Sequence, residues 1–125
     1  MTPTASIQNI GQIAVPVSDV DRATAFYRDQ LGLKFLFAFP GMAFFDCGGV
    51  RLYLTKPEKP EFSGMSILYF RVASIVEAHA EMSARGVSFT DEPHRVHADD
   101  RHELWLAFFR DPDGNPLALM SEVPK

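Results

Sequence analysis

The sequence predicts an α+β fold in which two tandem βαβββ modules form a half-barrel cleft. The first observation is that the stretch FFRDPDGNPLALM at 108–120 has an earlier echo, FFDCGGVRLYL at 44–54. Each runs from a Phe pair through a glycine-containing turn into an alternating apolar strand. The second is that IAVPVSDVDRATAFYRDQLGLKF is matched by LYFRVASIVEAHAEMSARGVSF, with Gly32 over Gly86. Internal self-similarity of this kind indicates one module present twice.

The spacing between the copies also locates an insertion. The turn glycines Gly49 and Gly114 lie 65 positions apart (114 minus 49), whereas Asp19 and Ser74 lie 55 apart (74 minus 19). The second copy should therefore carry roughly ten extra residues between Phe89 and Phe108. The polar, His-bearing stretch 91–101 is the predicted insertion.

Composition and charge exclude several classes of protein. At 125 residues, with 46% hydrophobic and 22% charged residues, the chain has the size of one globular domain. The net charge is −4 and the basic residues are scattered, so we expect no nucleic-acid surface. We expect no membrane span or signal peptide, and Cys47 is the only cysteine, so no internal disulfide can form. The sequence predicts a cytoplasmic protein, with Cys47 as a buried structural thiol.

Module one, about residues 8–55, is justified element by element. Asp19 can cap a helix over 20–31, and Gly32 can end it in the left-handed conformation. Pro40 and Gly41 mark a turn. The predicted strands are 10–17, 33–39, 42–46 and 50–55.

Module two, about residues 66–123, follows a linker at 56–65 that contains Pro57 and Pro60. Ser74 with Glu77 forms a capping-box pattern before a helix that runs to Arg85. The predicted strands are 67–72, 87–90, 104–110 and 116–121.

The stretch VPVSDVDRATAFYRDQLGL, a glycine-turn strand and the late FFRDPDGNPLALM together resemble the vicinal oxygen chelate superfamily. That superfamily includes glyoxalase I, extradiol dioxygenases, fosfomycin-resistance enzymes and bleomycin-resistance proteins. The resemblance covers about residues 10–122, and it implies the glyoxalase/bleomycin-resistance-like fold with a cleft between sheets.

The resemblance also implies where a divalent ion would bind. In metal-dependent members, four cleft-facing positions carry His or Gln, Glu, His and Glu. The matching positions here are Gln12, Tyr53, Ile67 and Ala118. Because divalent ions need several charged or basic donors, we expect no metal and no other cofactor. A metal-free, bleomycin-resistance-like protein that binds a small molecule is the leading interpretation.

Strand alternation extends the candidate ligand cleft. Besides the four family positions, the residues expected to face it include Ala14, Thr55 and Leu106, and the named binding candidates are Gln12, Arg51, Tyr53, Ile67, Tyr69, His102, Phe108, Ala118 and Met120. This mixture of apolar and aromatic residues with a few polar groups is typical of a small-molecule pocket. A core filled by these same side chains is the alternative.

An enzyme is the rival interpretation. A lyase, isomerase or dioxygenase of the same superfamily could have relocated its divalent metal or acid–base site, with His102 and Glu103 as the catalytic candidates, beside Tyr53 and Tyr69. The histidines of the insertion, His94 and His97, would be further donors in that case, although solvent-exposed imidazoles explain them as well.

The resemblance implies a homodimer as well. The half-barrel can form from the two modules of one chain or from modules exchanged between chains, and the sequence leaves both open. It also leaves open whether the stretch 91–103 closes over the cleft.

Overall fold

Each repeat folds into its own four-stranded mixed sheet in the computed structural model, which describes residues 7–60 and 64–125. Part of the predicted linker, 61–63, lies outside the described residues. Module one comprises β1 (Gln12–Pro16), α1 (Val20–Ala25), β2 (Lys34–Phe39), β3 (Met42–Cys47) and β4 (Val50–Thr55). Module two comprises β5 (Leu68–Arg71), α2 (Ile75–Ala84), β6 (His94–Ala98), β7 (His102–Arg110) and β8 (Pro116–Pro124). The predicted pair of βαβββ modules is confirmed.

The two sheets have the same topology. Their strand orders are β1-β4-β3-β2 and β5-β8-β7-β6. In each, the first strand pairs in parallel with the last, and the remaining neighbours are antiparallel. Among the described strands, the first strand of each module therefore lies at an edge of its sheet.

The first helix starts where the sequence predicts and changes form before it ends. Asp19 Oδ1 accepts a hydrogen bond from the Arg22 amide at 3.0 Å, which caps α1. After Ala25 the chain continues as a π-helical segment, Phe26–Gln30, in which the Leu31 amide donates to the Phe26 carbonyl. The wider turn directs both Phe26 and Tyr27 into the core.

The C-terminal ends of the two helical segments bind each other. Gln30 Nε2 donates to the Arg85 carbonyl at 2.9 Å, and Arg85 Nε donates to the Gln30 carbonyl at 2.9 Å. Each module thereby satisfies a terminal carbonyl of the other, which a helix end leaves without an intrahelical partner. α2 is capped at its start by Ser74, whose Oγ accepts from the Glu77 amide.

The predicted strand at 87–90 is wrong. There the chain forms one isolated bridge, between Phe89 and Phe109, and then the Asp91 carboxylate accepts the Phe108 amide at 2.7 Å. Because a side chain replaces the backbone partner, the ladder stops. The third strand of module two is instead β6, inside the predicted insertion, where it pairs with a β7 that starts at His102.

Both modules share one core, formed between the helix-covered faces of the two sheets. Its largest side chains include Tyr27 of the helix, Phe45 and Leu52 of the first sheet, and Phe109 and Leu117 of the second. No helix in the described ranges is long and apolar enough to cross a membrane.

A buried carboxylate fixes the two modules together. Asp111, in the β7–β8 turn, accepts hydrogen bonds from the Tyr27 hydroxyl at 2.8 Å and from the Asn115 side-chain amide at 2.8 Å. The Asn115 amide group also donates to the Pro16 carbonyl of β1. Asp111 also accepts hydrogen bonds within its own turn, from the Asp113 and Asn115 backbone amides. Its contact with Tyr27 was not predicted.

Candidate ligand-binding cleft

The face of each sheet opposite the core, here called the open face, carries the candidate cleft residues. In module one the register pairs Gln12 with Arg51 and Ala14 with Tyr53. In module two it pairs Tyr69 with Ala118 and Ala118 with Phe108. Since Leu52, Leu54, Leu117 and Leu119 between them are buried in the core, alternation places these candidates on the opposite side.

The four family metal positions do not fit a divalent ion. Tyr53, Ile67 and Ala118 replace two carboxylates and an imidazole with a phenol and two hydrocarbons. The remaining donor, Gln12 Oε1, accepts a hydrogen bond from Arg51 Nε at 2.9 Å, so a guanidinium cation already holds the oxygen that a metal would use. Across residues 7–60 and 64–125 no group of three His, Cys, Asp or Glu lies close enough to hold an ion elsewhere.

A row of aromatic rings crosses the open face of module one. Phe37, Phe44 and Tyr53 are successive cross-strand partners on β2, β3 and β4. The Phe44 and Tyr53 rings are stacked, with centroids 4.8 Å apart and planes 12° apart, and Phe37 lies 4.7 Å from Phe44. Phe39 adds a ring 6.4 Å from Phe44 and is itself 59% exposed. Phe44 is enclosed between Phe37 and Tyr53, so the accessible rings of the row are those at its ends, with Phe37 41% exposed.

A β-bulge creates this row. Phe35 pairs with Phe45 and contacts the ring of this core residue edge to face, although Phe35 itself is 37% exposed. Phe37 pairs with Phe44 on the open face, so Leu36 is the extra residue. Without the bulge, period-2 alternation would put Phe35 and Phe37 on the same face. The extra residue directs Phe35 inward and Phe37 outward.

Arg51 is the charged group beside the row. Its Cζ lies 5.4 Å from the Phe44 ring centroid, within cation–π range. Asp46 is its cross-strand neighbour, but the Asp46 carboxylate accepts the Gly49 amide at 3.1 Å, and no ion pair joins it to Arg51 in the described ranges. The terminal guanidinium nitrogens of Arg51 have no hydrogen-bond partner within residues 7–60 and 64–125.

A cavity of about 690 Å³ adjoins the other end of the same face. It extends from the ends of β1 and β4 to the linker, and its lining includes Ala14, Met42, Tyr53, Lys56 and Glu58. Tyr53 lies between this cavity and Arg51. Because all its lining residues belong to module one and the linker, the cavity is not a cleft between the two sheets of one chain.

The open face of module two has a different character. Tyr69 and Phe108 meet edge to face at 6.0 Å over Ala118, which is fully buried beneath them. A ligand would meet the two rings and Met120 before it reached Ala118. Ile67 is 41% exposed and immediately precedes β5. The histidines His94, His97 and His102 also lie on this face, through a bulge at Val96 that matches the bulge in β2.

His102 and Glu103 do not form a pair. They are adjacent on β7, so their side chains point to opposite faces. The Glu103 carboxylate accepts from Trp105 Nε1 at 3.2 Å and from Arg95 at 3.1 Å, on the side that packs under α2. The hydrogen bond from Trp105, followed by that from Arg95, lowers the pKa of Glu103. Glu103 is therefore a structural carboxylate outside the cleft.

Cys47 and His79 are structural as well. Cys47 is half-buried at the end of β3, and desolvation, followed by the charge of Asp46, raises the pKa of its thiol. A raised pKa disfavours the nucleophilic thiolate. The His79 ring packs 4.2 Å from Phe89 on the edge of α2.

Comparison with known proteins identifies the family. A model described as the Glyoxalase/Bleomycin resistance protein/Dioxygenase superfamily matches residues 9–119. The chain belongs to this superfamily. Its fold agrees with solved structures of the same superfamily, among them a glyoxalase/bleomycin resistance protein/dioxygenase from Nocardioides, 21% identical, with a TM-score of 0.76 over 96% of this chain and 87% of that one.

Two further structures carry functional names. A lactoylglutathione lyase from Agrobacterium tumefaciens is 23% identical, with a TM-score of 0.69 over 95% of both chains. TnmS3, an antibiotic binding protein from Streptomyces sp. CB03234, is 27% identical, with a TM-score of 0.75 over 94% of this chain and 98% of that one. The superfamily fold thus serves both an enzyme and a binding protein among these neighbours.

Sequence reasoning missed the aromatic row. It assigned the open face from the first and last strands of each module and from the penultimate strand of module two, and it left out Phe37, Phe39 and Phe44 on β2 and β3. The available signal was the run FLFAF in β2, three Phe residues at alternate positions. Alternation alone would have put all three on one face, so the signal lacked the bulge that divides them.

Proposed function

We propose that this protein binds a small molecule on the open face without a metal ion, as bleomycin-resistance proteins of the superfamily do. The observation that carries the proposal is the contact between Gln12 and Arg51. It places a positive charge at the one family position that keeps an expected ligand type, Gln12. The exposed aromatic row and the adjoining cavity supply the apolar area that a ligand site needs.

The neighbouring structures support binding more than catalysis. TnmS3, the antibiotic binding protein, shares more identity with this chain than the lactoylglutathione lyase does. The relocated catalytic site would need His102 and Glu103 to act together, and their side chains lie on opposite faces of β7. We therefore expect neither a catalytic role for Glu103 nor a bound divalent cofactor.

We further propose a homodimer in which a second copy completes the cleft. Within one chain, no hydrogen bond, ion pair or ring contact of the described residues joins the open face of β1–β4 to that of β5–β8. Large apolar side chains remain 38–59% exposed on these faces, namely Phe37, Phe39, Met42, Ile67 and Tyr69. Module two of a second copy, placed over module one, would cover these residues and enclose a ligand. A cytoplasmic location remains the sequence-based proposal.

The first experiment measures metal and ligand on the same sample. Tag-free protein purified without chelator is analysed by plasma mass spectrometry, and its melting temperature is followed across divalent ions and a library of aromatic small molecules. We expect no stoichiometric metal, no shift with the ions and a rise in melting temperature with some of the small molecules.

Each contrary result has a definite meaning. About one transition metal per chain, together with loss of that metal in His102→Ala, would overturn the proposal in favour of the enzyme. Light scattering tests the dimer separately, with Phe39→Asp expected to shift the chain towards the monomer. A wild-type monomer at all concentrations would contradict the shared cleft.

A further inference from the structure

The charges on the open face of module one favour one sign of ligand. One row of cross-strand neighbours, here called the rung, crosses the whole sheet at the end where β1 begins. It consists of Lys34, Asp46, Arg51 and Gln12. This rung contains two cations and one anion. The single carboxylate is directed to the Gly49 amide, so it does not neutralise Arg51 by direct contact. The rung carries a net positive charge in a chain whose net charge is −4.

Gln12 fixes the direction in which Arg51 can act. Its Oε1 accepts from Nε, which restricts the guanidinium plane, and the Phe44 ring lies 5.4 Å from Cζ. Neither terminal nitrogen of Arg51 has a partner in the described ranges. A planar guanidinium held at Nε presents paired N–H donors that match a carboxylate, sulfonate or phosphate.

The neighbouring rings determine what must be attached to that anion. Phe44 is both the ring under Arg51 and the ring stacked on Tyr53, so the charge and the flat apolar surface are contiguous. Phe37 and Tyr53 cover the faces of Phe44, whereas the small Ala14 is the cross-strand neighbour on the other side of Tyr53. An aromatic ligand can therefore extend the stack at Tyr53 and meet the edge of Phe44, which an aliphatic anion cannot do. Offset stacking between rings is favourable beyond the area it buries.

We propose that the ligand is a planar aromatic anion, whose acidic group binds the terminal nitrogens of Arg51 while its ring system packs on Phe44 and Tyr53. Gln12 is the positioning residue for Arg51. Here the Arg51 guanidinium binds the ligand oxygens, whereas metal-dependent members of the superfamily are expected to use a metal ion. The inference rests on the proposed function and adds to it the chemical class of the ligand and the role of each side chain.

The test uses two dyes that differ by one acidic group, 8-anilinonaphthalene-1-sulfonate and the neutral N-phenyl-1-naphthylamine. Their affinities are measured by fluorescence titration on the full-length protein at two salt concentrations. Arg51→Gln should weaken the sulfonate roughly tenfold and change the neutral dye less than about twofold. Higher salt should weaken the sulfonate alone, because exposed charges are screened.

Further variants separate charge, position and stacking. Gln12→Ala should lower the preference for the sulfonate without changing the affinity of the neutral dye, and Gln12→Glu should lower it further by pairing with Arg51. Tyr53→Ala and Phe44→Ala should weaken both dyes. Arg28→Gln, which removes the same charge from a helix residue paired with Asp29, is the matched control and should leave both affinities unchanged.

Two outcomes would overturn the inference in distinguishable ways. If Tyr53→Ala and Phe44→Ala weaken both dyes but Arg51→Gln affects them equally or not at all, the cleft binds ligands without selecting anions. In that case the proposed function stands and the ligand class is wrong. If none of these substitutions changes either affinity, the dyes do not bind on this face and both proposals fail.

Discussion

The turns that close β3–β4 and β7–β8 occupy the same position in the two modules, yet they differ in how they are used. Asp46 and Asp111 are equivalent, each lying three residues before the turn glycine, Gly49 or Gly114. Asp46 accepts one hydrogen bond, from the Gly49 amide, at the surface. Asp111 is 5% exposed and accepts four, including one from Tyr27 of the other module. The same sequence signal therefore marks an exposed turn in one copy and the inter-module contact in the other.

The helices explain the difference. Tyr27 carries a hydroxyl that reaches the second turn, whereas its counterpart in the other helix, 55 positions on, is Met82 (27 plus 55). Met82 cannot donate a hydrogen bond. It lines a cavity of about 160 Å³ with Cys47, the residue after Asp46, and Leu33. A buried polar contact therefore fills one site of the repeat, whereas the equivalent site holds a small cavity lined mostly by apolar side chains.

The largest expected effect distinguishes the two turns directly. Asp111→Ala should destabilise the protein by about 3–4 kcal/mol, because it leaves the buried Tyr27 hydroxyl and two turn amides without their acceptor. Asp46→Ala, the matched substitution, should cost about 0.5–1 kcal/mol. Urea denaturation measures both. Equal losses would show that the Tyr27 contact contributes nothing beyond the turn itself.

Tyr27 links this contact to alkaline pH. Burial, followed by the nearby Asp111 charge, raises the pKa of Tyr27 well above its usual value of 10.0. Its stabilisation is therefore fully present below pH 10 and is lost as pH rises beyond it, since only the unfolded state can then ionise readily. Tyr27→Phe should cost about 1–2 kcal/mol near neutrality, and this difference should shrink above pH 10.

Denaturation of both proteins between pH 7 and 11 checks this dependence. Tyr69→Phe, which leaves the buried pair intact, should keep the wild-type profile. A constant gap between wild type and Tyr27→Phe across the series would argue against a raised pKa.

The glycines that end the two helices, Gly32 and Gly86, also differ between the modules, with a smaller expected effect on stability. Both have positive φ, +77° at Gly32 and +94° at Gly86, so alanine is strained at either. A Cβ at Gly86 would lie 2.8 Å from Gln30 Nε2, whereas the nearest atom at Gly32 is 3.9 Å away. Gly86→Ala should therefore cost about 1.5–2 kcal/mol, against about 1 kcal/mol for Gly32→Ala. Identical urea midpoints for the two variants would mean that displacing the Gln30 side chain from the Arg85 carbonyl does not change the free energy of unfolding.

The parts of the molecule that sequence could predict are those governed by a simple period. Local chemistry predicts the helix caps at Asp19 and Ser74. Regular alternation predicts that Gln12 and Tyr53 lie on the same face of the sheet. The bulges at Leu36 and Val96 reverse that alternation without any turn residue to mark them. The bulge at Leu36 is why Phe37 and Phe39 were missed, whereas Phe44 was missed because the alternation was not extended to β3.

A second class of feature depends on contacts between distant residues. The strand at 87–90 failed because Asp91 takes the place of a backbone acceptor, which no spacing reveals. The contact between Tyr27 and Asp111 joins residues 84 positions apart. It needed the packing of both modules to become visible.

The smallest expected effect concerns the neighbours on β7. His102→Ala removes an exposed side chain from the open face, so it should change stability by no more than about 0.5 kcal/mol. Glu103→Ala removes the acceptor of Trp105 and Arg95 on the opposite face and should lower the melting temperature measurably more. Because the two residues share a strand but not a face, neither substitution should create or abolish a thermal response to Zn²⁺. A Zn²⁺ response in the wild type that both variants lose would place them in one site, against the alternation of β7.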